Sequence, residues 1–389
     1  MQGVSTSMSP DGIDRRTVLG AAIGGALTLR NGASRAEEKP PEYVIGLVGQ
    51  GPVGDAMREG ALLAVEVINQ AGGLAGRKLR LRAETLNPAD KEIRAQAIKI
   101  SGALMKEKDL IAVIGHDEMS DALPAAIAYR RRNILFIAPT ITISDLSRHG
   151  LENVFATIPD NTDIATQTAR LAFDIGLRRA VVLRDRSMEA LEIGLAFRDE
   201  AAVLGITIIN ERSFRAETAN AREVLAGLQG LRVDHLLIAT PLDLAVRLVR
   251  QAGAMGLGLT SVLPQFTDPD ALRPQLAKIN GRILLPVLRN RVSPSIVQAN
   301  WAKSFETRFQ KQASDWAMQG ADAVGLLAYA IGRSGTVDAD ELISLLRLEL
   351  AYTGIGGRIS FRRNGRIYTR LLAFASVRPD EVVYYMPGA

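Results

Sequence analysis

Apolar and polar positions along the chain switch between two periods, and the switches divide it into elements. Residues 44–48 are an apolar run that breaks at a glycine-rich turn. Met57, Ala61, Ala64, Val65 and Ile68 follow at the 3.6-residue spacing of a half-buried helix. Asp55 is placed to cap the start of that helix, and Gly72-Gly73 stops it. Residues 78–83 then alternate basic and apolar side chains, the period of a strand. Together these predict a βαβ unit. The same rhythm predicts a helix over 88–106, a strand over 110–115, a helix over 121–132 and a strand over 134–138.

Thr157-Ile158-Pro159-Asp160-Asn161 interrupts the rhythm after four strands, and the alternation then restarts. Helices over 162–175, 189–204, 221–228 and 242–255 separate strands over 180–184, 206–211, 235–239 and 260–263, with a further strand over 283–287. Strands this apolar, alternating with helices, imply parallel sheets covered on both faces. Past Ser293 the pattern is helical only, over 295–312, 316–333 and 338–348, so these helices are expected on a sheet already built. The tail carries two alternating segments around Arg363-Asn364-Gly365, a hairpin signal. The fold class is therefore α/β, with two doubly wound lobes. A chain that returns in this way joins its two domains at least three times, which favours hinge bending.

Composition narrows the class. The 389 residues are 47% apolar, enough for two globular domains, and the formal charge is +5. No dense basic block is interleaved with aromatics, which argues against nucleic acid as a partner. Arg130-Arg131-Arg132, the one triple basic run, ends a helix and complements its dipole. The absence of cysteine removes disulfides, thiolate metal sites and a lipid-modified N-terminal cysteine together. Arg15-Arg16 precedes a weakly apolar run over 18–29 and small residues over 31–36, with Ser34 and Ala36 placed for cleavage before Glu37. Residues 1–36 resemble a twin-arginine export signal. The apolar run has only about 12 residues against roughly 20 for a membrane span. An ordinary export signal is the plainer reading and leads to the same compartment.

Candidate chemistry is sparse. Gly49, Gly51 and Gly54 spell G-x-G-x-x-G between strand and helix, a pattern that seats a pyrophosphate on a helix N-terminus. The plainer reading is a turn that needs close backbone approach. The ribose-binding acid belongs roughly 20 residues further on, whereas Glu84 lies about 30 beyond Gly54. His116, His149 and His235 stand far apart and lack metal-ligand spacing, and no Walker, G-x-S-x-G or H-E-x-x-H sequence occurs. Neither metal, cofactor nor catalysis is called for. In open α/β sheets sites form at the carboxyl ends of the strands. Two such ends are rich in hydroxyls: Ser120 precedes a helix, and Thr140, Thr142 and Ser144 follow a strand. They would make a carboxylate cradle, or in the plainer reading serve as helix caps.

Four stretches carry a resemblance: GALLAVEVINQAGGLAGRKLRL (60–81), AVIGHDEMSDALPAA (112–126), ILFIAPTIT (134–142) and QGADAVGLLAYAI (319–331). In that order they resemble the type I periplasmic solute-binding proteins, in the leucine/isoleucine/valine-binding branch of ABC importers. The closing GIGGRISFRRNG (354–365) fits too, except that Arg362 replaces a usual acid. The resemblance implies two doubly wound parallel-sheet lobes joined by three crossovers. Lobe one would comprise 43–158 and a helical return over 290–350, and lobe two 159–289 and a closing segment over 351–389. It implies a periplasmic, non-enzymatic protein that closes on a small organic ligand and is read by an ABC permease in the inner membrane. Thr142 matches a threonine that holds an α-carboxylate in that family, while Met119 replaces its serine, with Ser120 one residue late. Gln265 stands where an acid holds the ammonium, and a tyrosine expected after Asp185 is missing, with Met188 in the region. Trp316 matches a pocket aromatic, and the glycine turn is expected as one wall of the cleft. An ammonium buried without a carboxylate costs several kcal/mol in effect. The expected ligand is therefore not a simple zwitterionic amino acid, and an apolar or aromatic molecule, with or without a carboxylate, would suit Met119, Met188 and Trp316. Two other readings stand beside it: an exported oxidoreductase with a nicotinamide nucleotide on the glycine turn, and a sensory domain of the same fold.

Overall fold

The computed structural model describes residues 42–385, apart from 88, 91, 148–149, 258, 278, 280, 289–293, 349–350 and 369–371. The export signal and His149 lie outside the described residues.

The first sheet contains β1 (Tyr43–Gly49), β2 (Leu79–Thr85), β3 (Leu110–Gly115), β4 (Leu135–Ala138) and β5 (Val154–Ala156). Its order is β2-β1-β3-β4-β5 and every pairing is parallel. Between the strands run α1 (Gly51–Gln70), α2 (Ile93–Leu104) and α3 (Met119–Arg131). Strand side chains alternate faces, and both faces are apolar. Ile45, Leu47, Ala112 and Ile114 join one core, while Val48 and Val113 join another with α2 and α3. β5, a fifth strand that the apolar pattern did not predict, is only three residues long.

The chain then builds α4 (Asn161–Asp174), β6 (Arg179–Asp185), α5 (Met188–Leu204), β7 (Thr207–Phe214), α6 (Ala221–Leu225), β8 (His235–Ala239), α7 (Leu242–Ala254), β9 (Thr260–Val262), α8 (Pro269–Leu272) and β10 (Arg282–Val287). It crosses back into α9 (Ile296–Phe309), α10 (Asp315–Ser334) and α11 (Ala339–Arg347), then β11 (Tyr352–Gly354), β12 (Gly357–Ile359), β13 (Ala373–Val377) and β14 (Val382–Tyr385). The second sheet has the order β14-β13-β10-β9-β8-β6-β7, parallel from β7 to β10 and antiparallel at β13 and β14. Val181 and Leu183 of β6 face one core and Ala180 and Val182 the other. Each sheet is thus a filling between two helical layers, the doubly wound arrangement.

Helices α10 and α11 pack on the first sheet, in the core that holds Ile45, Leu47 and Ala61. Two glycines set the crossing of α1 and α10. A methyl group on Gly60 would lie 1.7 Å from the Ala317 carbonyl oxygen, and one on Gly320 would lie 2.1 Å from that of Met57. Only glycine lets backbones approach this closely. Asp322, fully buried on α10, accepts from the Ile355 and Gly356 N–H groups at 2.6 and 2.8 Å and so holds the β11–β12 turn. Ile359, Phe361 and Ile367 belong to the same first core. The segment from β11 to Ile367 therefore packs with the first sheet, against the expected lobe-two placement of 351–389, because its apolar side chains share a core with α10. The turn at Arg363-Asn364-Gly365 forms, with a single antiparallel bridge between Phe361 and Ile367.

Candidate functional site

The strand order reverses between β1 and β3 in one sheet and between β6 and β8 in the other. At such switch points the loops after the strands diverge and leave a crevice. A cavity of about 450 Å³ lies there, lined from both lobes. Glu118, Thr140 and Thr142 come from loops after β3 and β4; Asp185, Ser187 and Glu189 from the β6–α5 junction; Thr240, Gln265 and Phe266 from loops after β8 and β9. Trp316 reaches it from the first turn of α10, a helix capped by the Ser314 hydroxyl on the Ala317 N–H at 3.2 Å.

Of the residues singled out from the sequence, Thr140, Thr142, Gln265 and Trp316 line this cavity. Met119, Ser120 and Met188 are not among the lining residues. Helix α3 begins at Met119, whose side chain packs partly buried against the core around Ala122 and Phe136. That packing turns Glu118 toward the cleft and leaves Ser120 exposed. Met188 opens α5 with its side chain in solvent, 58% exposed.

The glycine turn is not a wall of the cavity either. An added Cβ on Gly49 would meet Gly54 Cα at 2.6 Å, so the two glycines let strand and helix touch. The carboxylate of Asp117 lies over them and accepts from the Gln50 N–H at 2.6 Å. A carboxyl group thus already occupies the place where a pyrophosphate would sit. Asp55 does not cap α1, whose N-cap is Gln50; it pairs with Arg58 at 2.8 Å. Burial raises the Asp117 carboxyl to about 7, helped by the Asp121 and Glu118 charges and opposed by the Gln50 hydrogen bond.

His116 is fully buried behind the site with φ of 53°, a left-handed conformation. Its Nδ1 lies 2.8 Å from Asp121 and its Nε2 3.1 Å from the Tyr129 hydroxyl, which in turn meets Ser101 at 3.2 Å. This chain is closed on itself and braces the loop that carries Glu118. Among the described residues no cluster of three or more His, Asp or Glu is placed to hold a metal ion.

The electrostatics of the cavity departs from the sequence-based expectation. Gln265 carries no charge, yet the cavity does not lack acid, since Glu118, Asp185 and Glu189 all line it. Among the described residues that line it there is no lysine or arginine. Asp185 is buried and its Oδ1 accepts from the Ser187 N–H at 2.7 Å, while Glu189 and Glu118, whose carboxylate also closes the capping box of α3 with the Asp121 N–H, line the cleft. Loss of hydration raises the Glu118 carboxyl above its ordinary range, and the charges of Glu189 and Asp121 add to it. The sequence reading passed over these acids because His116-Asp117-Glu118 looks like any polar turn.

The family model for periplasmic binding proteins matches residues 46–381. The chain belongs to that family. Within it, the chain falls in the branched-chain amino acid branch of type I binding proteins. It is 23% identical over 316 residues to the leucine-, isoleucine-, valine-, threonine- and alanine-binding protein of Pseudomonas aeruginosa, covering 79% of this chain and 82% of that one. Among solved structures, an ABC transporter substrate-binding protein of Desulfitobacterium hafniense in complex with Leu superposes with a TM-score of 0.77 at 25% identity, covering 89% of this chain and all of that one. A solute-binding protein of R. palustris in complex with benzoate shares the fold, with a TM-score of 0.72 at 18% identity, 89% of this chain and 96% of that one. This binding protein is accordingly an ABC transporter substrate-binding protein of the leucine-binding type.

Proposed function

We propose that the chain is the extracytoplasmic receptor of an ABC importer, exported through a twin-arginine-like signal over 1–36 and read in its closed form by an inner-membrane permease. The observation that carries this is the cavity of about 450 Å³ lined by strand ends of both sheets. Its size lies in the range of small-molecule sites. Closure of the lobes buries the ligand, with Thr140 and Thr142 on one side, Gln265 on the other and Trp316 at the edge.

The ligand is not a simple zwitterionic amino acid, for a reason other than the one drawn from Gln265. An ammonium would find partners here. A carboxylate would instead enter a cavity with three acids and no cation among its described lining residues, which leaves its desolvation uncompensated by them. The same charge balance disfavours an aromatic carboxylate, and of Met119, Met188 and Trp316 only the last lines the cavity. A thermal-shift screen over small amines, amides, amino acids and carboxylates tests the receptor reading. At 100 times its dissociation constant a true ligand adds roughly 2.7 kcal/mol. If no compound shifts the melting temperature and none compacts the protein in small-angle scattering, the receptor reading fails.

A further inference from the structure

Two groups deep in the cavity have no partner among the described residues. The Thr240 hydroxyl, at the end of β8, belongs to a residue only 7% exposed, and its Oγ1 makes no hydrogen bond. The Gln265 amide nitrogen, on the loop after β9, is likewise buried and unpartnered. Both residues line the cleft. A buried polar group left unpaired costs about 1–3 kcal/mol, so these two mark hydrogen bonds that a ligand completes. A threonine hydroxyl both donates and accepts, and an amide offers either end. They suit an uncharged polar group.

The acids ask for something else. Glu118 stands on lobe one, just ahead of α3, and Glu189 on lobe two, in the first turn of α5. Glu118 is tied only within its own helix start, by the capping box with Asp121, and the other acids near the cleft are held by neighbours. Glu192 accepts from Ser144 and Asn161, Asp160 pairs with Arg366, and Asp185 is held by the Ser187 N–H. Glu118 and Glu189 approach from opposite lobes and repel each other as the lobes close, unless a positive charge comes between them. Trp316 and Phe266 line the same space and offer aromatic faces, which favour a cation or an apolar body.

We infer that the ligand is an organic cation, an amine or guanidinium whose charged nitrogen sits between Glu118 and Glu189 and whose second, uncharged polar group meets Thr240 and Gln265. The inference rests on the receptor reading above and adds the charge of the ligand to it. The lobes close because the cation turns repulsion across the cleft into attraction from both sides. Closure is thereby coupled to ligand charge, and a neutral or anionic mimic of the same shape leaves the lobes apart.

The test uses compounds that share a body and differ in charge. Leucinamide, leucine and 4-methylpentanoate form one set, and phenylalaninamide, phenylalanine and 3-phenylpropanoate another. Isothermal calorimetry on the mature protein should find each amide cation bound at least about tenfold more tightly than its zwitterion, with the anion weakest. Glu118→Gln and Glu189→Gln should each weaken the cation about tenfold and leave or improve the anion. Glu189 lies on an open first turn, so its variant reports even where Glu118→Gln disturbs α3. Thr240→Val should weaken the amide relative to the simple amine 3-methylbutylamine. Zwitterion or anion bound more tightly than cation overturns the inference and leaves the receptor reading intact, as does cation affinity unmoved in both Glu→Gln variants. Failure of every cation in the panel overturns it too, and the wider screen then decides separately whether the protein is a receptor.

Discussion

Single glycines separate the places where backbone approach is demanded from those where it is not. Gly60→Ala and Gly320→Ala would each push a methyl group into a facing carbonyl, and each should destabilise by about 1–3 kcal/mol or more in urea unfolding. Gly102, inside α2, has nothing within 4 Å of a built Cβ, so Gly102→Ala should be neutral or stabilising by up to about 1 kcal/mol. All three look alike in the sequence, since each sits in an amphipathic helix. The Gly49–Gly54 turn shows the same limit. Its spacing allows a phosphate site or a tight contact, and only the position of Asp117 over it chooses between them. Thr142 and Gln265 could be placed by resemblance because they stand just after strand ends, and Trp316 because it stands in the first turn of α10. Glu118 and Glu189 could not, since an acid beside a helix start is an ordinary dipole partner until another lobe faces it.

At the scale of elements, one contact that spans the lobes is made by α5. Glu192 on that helix accepts from the Ser144 hydroxyl at 2.5 Å, the Ser144 N–H at 3.2 Å and the Asn161 amide at 3.1 Å. Ser144 lies in the loop after β4, so the carboxylate ties the second sheet's helix to the first sheet's loop. Removing it should favour the open form. Glu192→Ala is expected to raise the ligand-free radius of gyration in small-angle scattering and to weaken ligand binding severalfold, while the melting temperature changes little. An unchanged radius and affinity would show the clasp to be incidental. Long elements such as α1, α5 and α10 were legible from their period. β5 was not, because three residues hold too little of a two-residue period, and it exists as a strand through its pairing with β4. The segment from β11 to Ile367 was misplaced for a related reason: an amphipathic hairpin shows that it covers a core without showing which.

For the whole molecule, two buried groups set opposing responses to pH. His235 is buried in the second lobe beside Phe197, and loss of hydration lowers it from 6.5 to about 4. The unfolded chain binds that proton more readily, so the stability it permits is full above pH 6.5 and is lost as pH falls toward 4. Asp117 behaves in the opposite sense. Its carboxyl is raised from 3.8 to about 7, so its contribution is greatest below 3.8 and is lost as pH rises to 7. Between pH 4 and 6.5 the two slopes oppose each other in the wild type. Across this window the urea midpoint of His235→Phe should therefore rise less, or fall more, with rising pH than that of the wild type, because the His235 slope is gone while those of Asp117 and Glu118 stay. That of Asp117→Asn should climb more steeply with rising pH than the wild type's. Parallel profiles in both variants would show that neither group governs the acid response.

The order of periods along the chain determined two doubly wound lobes, because helix and strand repeats are local and each needs only its own neighbours to be read. Composition determined a chain without thiolate chemistry, and ordered motifs determined the family. The tertiary structure decided the character of the cleft. It filled the glycine turn with Asp117, turned Met119 and Met188 away, and set Glu118 and Glu189 on opposite lobes with Thr240 and Gln265 unpaired below them. The charge of a cavity belongs to no single segment. It arises from Glu118, Asp185 and Glu189, which stand on different lobes and meet only when both sheets are built.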